Sequence, residues 1–206
     1  IASGKISVNL ILFYVIILCS FAFLILIQFN FTTILLGIAS MHFAFSYPLM
    51  KRYTYWPQLF LGFTFNYGLI VAWFSIKPEF SYIPIIFYIG AIFWTLAYDT
   101  IYGFQDIKDD EIIGVKSTSI KFKKNPKLLI FTCYLIFIIM QILSGVLMKF
   151  NYYYYIGIVI IAFHLLFYQT KNLDISNPEI CLEKFKSNNF LGVIVFVNIL
   201  INKIYL

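Results

Sequence analysis

The chain has 206 residues, 62% of them from the set AVILMFWYC and only 12% charged, with a formal net charge of +6. Soluble domains carry about 45–50% apolar and about 25% charged residues, so this composition excludes an ordinary water-soluble fold and puts the chain in lipid. The positive charge calls for no nucleic-acid partner, because the basic residues fall between apolar blocks, where the positive-inside bias places them.

Ile1 is not a start residue, and the polar opening IASGKIS leads into an apolar run too long for the core of a signal peptide. The chain reads as if cut from something longer. Apolar blocks fall at roughly 7–29, 31–50, 58–76, 80–104, 128–148, 152–170 and 189–206, each long enough to cross about 30 Å of hydrocarbon. They predict an all-α, polytopic transmembrane bundle of about seven helices. The runs are continuous and not alternating, which excludes a β-barrel.

Crossing the membrane at each span sorts the cations. One side receives Lys5, Lys51, Arg52, Lys108, Lys116, Lys121, Lys123, Lys124, Lys127, Lys171, Lys184 and Lys186; the other keeps Lys77, Lys149 and Lys203. The crowded side is expected to be cytoplasmic. It also holds the long polar loops, about 51–57, 105–127 and 171–188, so chemistry is expected there.

The second span ends in YPLMKRYTYWPQ. Tyr47 and Lys51 are four apart and share a helix face if the helix continues through Pro48. Lys51 could ion-pair with a diphosphate, and Arg52 offers a planar fork for a carboxylate or phosphate; the plainer alternative is a pair of snorkelling cations. Asn66, in mid-span, could line a cavity or join helices.

The fourth span ends in YDTIYGFQDIKDDE, which holds Asp99, Asp106, Asp109, Asp110 and Glu111, five of only nine carboxylates. At about 100° per residue, Asp99, Asp106 and Asp110 fall within an arc of roughly 40°, with Tyr102 adjacent. They would be spaced about 10 Å and about 6 Å along a helix axis, too long a row for one ion's first shell. The row suits one or two Mg²⁺ ions shared with a phosphate-bearing ligand, because Mg²⁺ prefers few carboxylates plus substrate oxygens and water. Asp109 and Glu111 are expected to solvate the loop.

Further along, Tyr152 to Tyr155 read as an interfacial aromatic anchor. His42 and His164 stand alone in spans and read as hydrogen-bonded helix residues. Cys19, Cys133 and Cys181 show no disulfide or zinc spacing and read as inert.

Three stretches together resemble the UbiA superfamily of intramembrane prenyltransferases, and specifically its 4-hydroxybenzoate polyprenyltransferase branch. YDTIYGFQDIKDDEIIGVKSTSI is similar to its second aspartate-rich motif, DxxYxxxDxxxD, with the G-x-K-S-T segment that follows. YPLMKRYTYWPQLFLG resembles its YPxxKR-x-T-x-x-PQ segment, and FKSNNFLG a shorter, less specific one.

The resemblance implies a single membrane-embedded domain over 1–206, truncated at its N-terminus: about seven spans of a nine-helix bundle around a cavity. The first aspartate-rich motif, NDxxDxxxD, and the first two helices would precede Ile1, so the chain alone is expected to be inactive or feeble. The implied reaction is Mg²⁺-dependent transfer of a polyprenyl group from polyprenyl diphosphate to 4-hydroxybenzoate, ortho to its hydroxyl, in ubiquinone biosynthesis. The implied setting is the lipid bilayer of a bacterial or mitochondrial inner membrane, with the site facing the cytoplasm or matrix.

Carried over by residue, the resemblance implies catalytic and Mg²⁺-binding roles for Asp99, Asp106 and Asp110, with Lys51 and Tyr47 on the diphosphate. It puts Tyr102 beside the carboxylates, Arg52 on the acceptor's carboxylate and Lys116 in a charge-neutralising cap. Two alternatives stay open: a sister prenyltransferase with another aromatic acceptor, and a cation-coupled transporter with Asp99 and Asp106 as its ion site.

Overall fold

The structure, a computed structural model, describes residues 6–204. Lys5 and most of the IASGKIS stretch lie outside the described residues, as do Tyr205 and Leu206 at the end of the last expected span. Among the described residues nine α-helices run in order: α1 (Val8–Leu26), α2 (Phe31–Tyr53), α3 (Pro57–Ile76), α4 (Ile83–Tyr102), α5 (Ile107–Ile113), α6 (Thr118–Lys121), α7 (Pro126–Leu147), α8 (Tyr152–Phe163) and α9 (Pro178–Ile204). A π-helical stretch, His164–Lys171, continues α8. Seven of these units are long and apolar enough to cross a membrane, as the hydropathy blocks predict, with α8 and its π-helical end counting as one.

Local chemistry sets the helix starts. Ser7 accepts from the Leu10 N–H, and Asn30 accepts from the Thr33 N–H at 3.0 Å. The Asn30 amide also donates to the Phe74 carbonyl at 2.8 Å, so one side chain caps α2 and ties it to the far end of α3. Pro57, Pro126 and Pro178 open their helices, where a missing N–H costs nothing.

Two boundaries differ from expectation. The last helix begins at Pro178 and not near 189, because its first turns carry Glu179, Glu183, Lys184 and Lys186, which hide helical periodicity from a hydropathy reading. The 105–127 loop likewise contains α5 and α6.

α4 is the hub, packing against α3, α7 and α9. Its Leu96, Ala97 and Ile101 share a buried core with Ile130, Tyr134 and Phe137 of α7 and Leu191 of α9. α1, at the other extreme, packs on α2 and buries none of its residues. In water that would be a liability, but hydrocarbon solvates a Leu-rich helix as well as protein does.

The tyrosine run divides. Tyr152 and Tyr153 are exposed, as an interfacial anchor would be, but Tyr154 is fully buried and donates to the Gln141 carbonyl at 3.1 Å. Helical rotation of about 100° per residue turns one member of any such run inward. A second buried polar group links α4, α7, the π-helical stretch and α9: Tyr134 donates to Gln169, whose amide donates to Asn188 at 3.0 Å, and Trp94 donates to the same Asn188 oxygen at 2.9 Å. With no water in the bilayer core, such groups must satisfy one another. His164 joins this set, 3.2 Å from the Ser187 hydroxyl, as a hydrogen-bonded helix residue.

Tyr154→Ala should therefore cost about 3 kcal/mol or more, as deletion of a buried aromatic does. Tyr153→Ala should stay within about 0.5 kcal/mol. Denaturant titration in detergent micelles by circular dichroism measures both.

Candidate active site

α4 ends at Tyr102, and the chain turns through Gly103–Gln105 to Asp106, which stands immediately before the separate helix α5 without a side-chain bond to it. Asp99, Asp106 and Asp110 thus do not lie on one continuous helix, as their spacing suggests. The turn brings them together instead. A pocket of about 90 Å³ is lined by Asp99, Asp106 and Asp110 together with Tyr47, Lys51, Pro57, Gln58, Tyr102 and Gly103. α2 runs unbroken through Pro48, so Tyr47 and Lys51 do share a face, and it is the face toward the carboxylates.

The turn depends on Gly103. A Cβ there would lie 2.3 Å from the Ser119 hydroxyl oxygen, which itself donates to the Thr100 carbonyl at 2.8 Å. Ser119 belongs to the segment 115–119, which clasps three helix ends together. The Lys116 N–H donates to the Lys51 carbonyl at 2.9 Å, the Thr118 N–H to the Gln58 side chain at 2.9 Å, and the hydroxyls of Thr118 and Thr100 lie 2.7 Å apart. Ser117, Thr118 and Ser119 are buried. Gly114, at φ 78°, ends α5 in the left-handed conformation that lets the chain turn into this clasp.

Not every expected residue lines the pocket. Arg52 is exposed one position past Lys51 and is not among the lining residues. Lys116 points to the end of α2, donating to the Tyr53 carbonyl at 3.3 Å, with its Nζ 5.6 Å from the Tyr55 ring centroid. Asp109 is exposed and Glu111 ion-pairs with Lys123, so both lie outside the pocket, as expected of loop-solvating groups. Gln58, which holds the clasp and lines the pocket, carries no role in the sequence reading, although it sits in the PQ of a stretch already singled out.

A second cavity, of about 490 Å³, adjoins the pocket through Asp99, which lines both. Its walls include Asn66, Trp94, Tyr98, Phe185 and Asn188. Asn66 both lines this cavity and joins α3 to α4, donating to Thr95 at 2.8 Å. Four wall residues, Phe185, Asn188, Asn189 and Gly192, come from FKSNNFLG. Their relevance was hidden because α9 meets α4 only in the folded bundle.

Three carboxylates facing one ammonium make the small pocket net acidic, so it attracts cations and repels a bare diphosphate. Among the described residues no three His, Cys, Asp or Glu side chains converge to hold one ion by themselves. Such a donor set fits Mg²⁺, which takes one or two carboxylates and fills its octahedron with water and substrate phosphate. Burial pushes the Asp110 carboxyl above its ordinary range; Lys51 pulls it down, and Asp106 and Asp109 push it up.

The fold and the site together define a multi-pass helical membrane protein with a carboxylate–lysine pocket at one end of its bundle, beside an aromatic cavity. The chain belongs to the UbiA prenyltransferase family, whose sequence profile matches residues 1–197. It is similar to "4-hydroxybenzoate polyprenyltransferase, mitochondrial" of Bos taurus, 40% identical over 87% of this chain and 48% of the relative. The Homo sapiens protein of that name is 39% identical over 88% of this chain and 49% of its own length. "4-hydroxybenzoate geranyltransferase 2" of Lithospermum erythrorhizon is 38% identical over 88% of this chain and 59% of the relative. The chain thus spans about half the length of the curated relatives it matches. A solved chain from "Structural and mechanistic insights into the biosynthesis of Digeranylgeranylglyceryl phosphate synthase in membranes" superposes with TM-score 0.72 at 19% identity. It covers 100% of this chain and 74% of its own, a likeness of fold.

Because the fold disfavours ionised Asp110, that group supports the folded chain while protonated, and its contribution is lost as pH rises through the raised pKa. Lys51→Met should raise the Asp110 pKa further and Asp106→Asn should lower it. Carboxyl ¹³C NMR titration of aspartate-labelled chain reads both directions.

Proposed function

We propose that the protein carrying this chain transfers a polyprenyl group from polyprenyl diphosphate to the ring of 4-hydroxybenzoate, a step toward ubiquinone, using Mg²⁺ at Asp99, Asp106 and Asp110. The observation that supports this most is the convergence of those carboxylates with Tyr47 and Lys51 in one pocket, joined through Asp99 to an aromatic cavity. The names of the relatives support the acceptor and the prenyl donor.

The pocket's volume of about 90 Å³ suits a hydrated ion and phosphate oxygens but not an isoprenoid chain. The larger cavity is the compartment for the organic part. Bound Mg²⁺ would neutralise the diphosphate and ease its departure. Lys51 places its ammonium where leaving-group charge develops, and Tyr47 can donate a hydrogen bond to the same oxygens.

Trp94, Tyr98 and Phe185 line this cavity together with Asp99. They can stabilise an allylic cation through their quadrupoles and keep out water that would quench it. The acceptor ring then attacks through the carbon ortho to its hydroxyl and loses a proton to regain aromaticity. The basic loops at this end of the bundle favour the matrix or cytoplasmic side of an inner membrane as the side on which diphosphate is met.

Asp106→Ala in the intact protein should lower prenyl transfer by roughly 100-fold or more while leaving membrane insertion unchanged. EDTA should abolish transfer by the unsubstituted protein and added Mg²⁺ should restore it. Chromatographic detection of prenylated 4-hydroxybenzoate from membranes decides both, and full activity of the Asp106 variant would remove the metal assignment.

A further inference from the structure

On the outer face of the bundle, away from the carboxylates, a groove of about 510 Å³ runs between α7 and the π-helical end of α8. Its floor is apolar, made by Leu128 and Phe131 of α7 and Leu166 and Phe167 opposite. Its mouth is cationic, formed by Lys127 and Lys171. We propose that this groove binds an anionic phospholipid, with the headgroup phosphate held between Lys127 and Lys171 and an acyl chain laid along the apolar floor.

The two lysines are gathered there by specific contacts. Lys127 Nζ donates to the Lys171 carbonyl at 3.0 Å, which fixes the ammonium at the groove mouth and leaves its other N–H bonds for a ligand. Lys171 Nζ lies 5.8 Å from the Phe167 ring centroid, so its stem lies over the groove wall. Both side chains are exposed, and neither has a carboxylate partner: among the described residues the ion pairs are Lys123–Glu111 and Lys184–Glu183. Asp174, the acidic residue of the adjoining loop, spends one carboxylate oxygen on the Ser176 N–H and hydroxyl at 2.9 and 2.6 Å; these bonds, with the nearby Lys127 charge, hold its carboxyl below the ordinary range, but it forms no ion pair with Lys127. The mouth also receives the start of α7, whose cap residue Asn125 makes no side-chain hydrogen bond to it, so the first-turn N–H groups add positive potential.

Charge complementarity selects the occupant. A groove open to lipid along its length, apolar below and cationic at one end, matches an amphiphile with one anionic end. Basic pockets between spanning helices hold anionic headgroups in this way. The π-helical stretch shapes the wall: Thr170 lines the groove with Leu166 and Phe167, but its hydroxyl is spent on the Leu165 carbonyl at 2.8 Å.

The test uses the full chain in detergent micelles with phosphatidylglycerol or phosphatidylcholine of matched acyl chains. Phosphatidylglycerol should raise the unfolding temperature more than phosphatidylcholine and stay bound in native mass spectrometry. K127Q/K171Q should weaken that binding roughly tenfold or more and erase the difference, whereas K108Q/K186Q, on the same end of the bundle but outside the groove, should keep it. Equal effects of the two lipids, an undiminished preference in K127Q/K171Q, or the same shift from inorganic phosphate alone would overturn the site. A photoactivatable phosphatidylglycerol gives a readout independent of variant stability: label should concentrate on residues 128–131 and 166–171. Even labelling of all outward-facing helices would overturn it equally.

Discussion

An ionised carboxylate cannot rest against hydrocarbon. At the centre of a spanning helix it costs about 2.5–3.5 kcal/mol even on the mildest scale. Asp99 sits on α4, a spanning helix, and much of the surrounding structure deals with that cost. α4 is packed by α3, α7 and α9, so its polar end opens into protein-lined space. The chain then turns at Gly103, inside van der Waals reach of Ser119, and α5 brings Asp106 and Asp110 to the same space. The segment 116–119 closes the arrangement: the Thr118 N–H bonds Gln58 of α3, the buried hydroxyls of Thr118 and Ser119 bond Thr100 of α4, and the Lys116 N–H bonds the end of α2.

Asp99 also marks the meeting of two unlike compartments. The small pocket is polar and net acidic, suited to a cation and phosphate oxygens; the larger cavity is walled by Trp94, Tyr98 and Phe185, suited to carbon. The proposed reaction, which separates a diphosphate from an isoprenoid, would use that division within one side chain's reach. The wall of the larger cavity is held in turn by a buried polar set, in which Asn188 accepts from both Trp94 and Gln169. An unpaired member of such a set would cost about 1–3 kcal/mol, so the wall is positioned as one unit.

Lipid explains what would otherwise look like poor packing. α1 buries nothing, and long apolar faces of α7 and α9 stand open. Where the outer surface departs from plain hydrocarbon contact, as at Lys127 and Lys171, the departure has a chemical sense of its own.

The number and approximate extent of the spans were legible in the sequence, because twenty consecutive apolar residues admit few solutions in lipid. The membership of the acidic site was legible too, since so few carboxylates exist that their crowding stands out. The reason they meet was not: a single helix face groups the three aspartates that line the pocket, but the break after Tyr102 and the return of α5 bring them together. Nor could periodicity tell that Tyr154 points inward, that Gln58 joins the pocket, or that FKSNNFLG walls the cavity. Those are contacts between segments far apart in the chain, and local pattern carries no information about which faces the bundle will bring together. Composition and periodicity by themselves determined that this is a membrane bundle with an acidic end. Tertiary packing alone decided which side chains share the two cavities, because burial in lipid fixes that each helix spans but not which neighbour it meets.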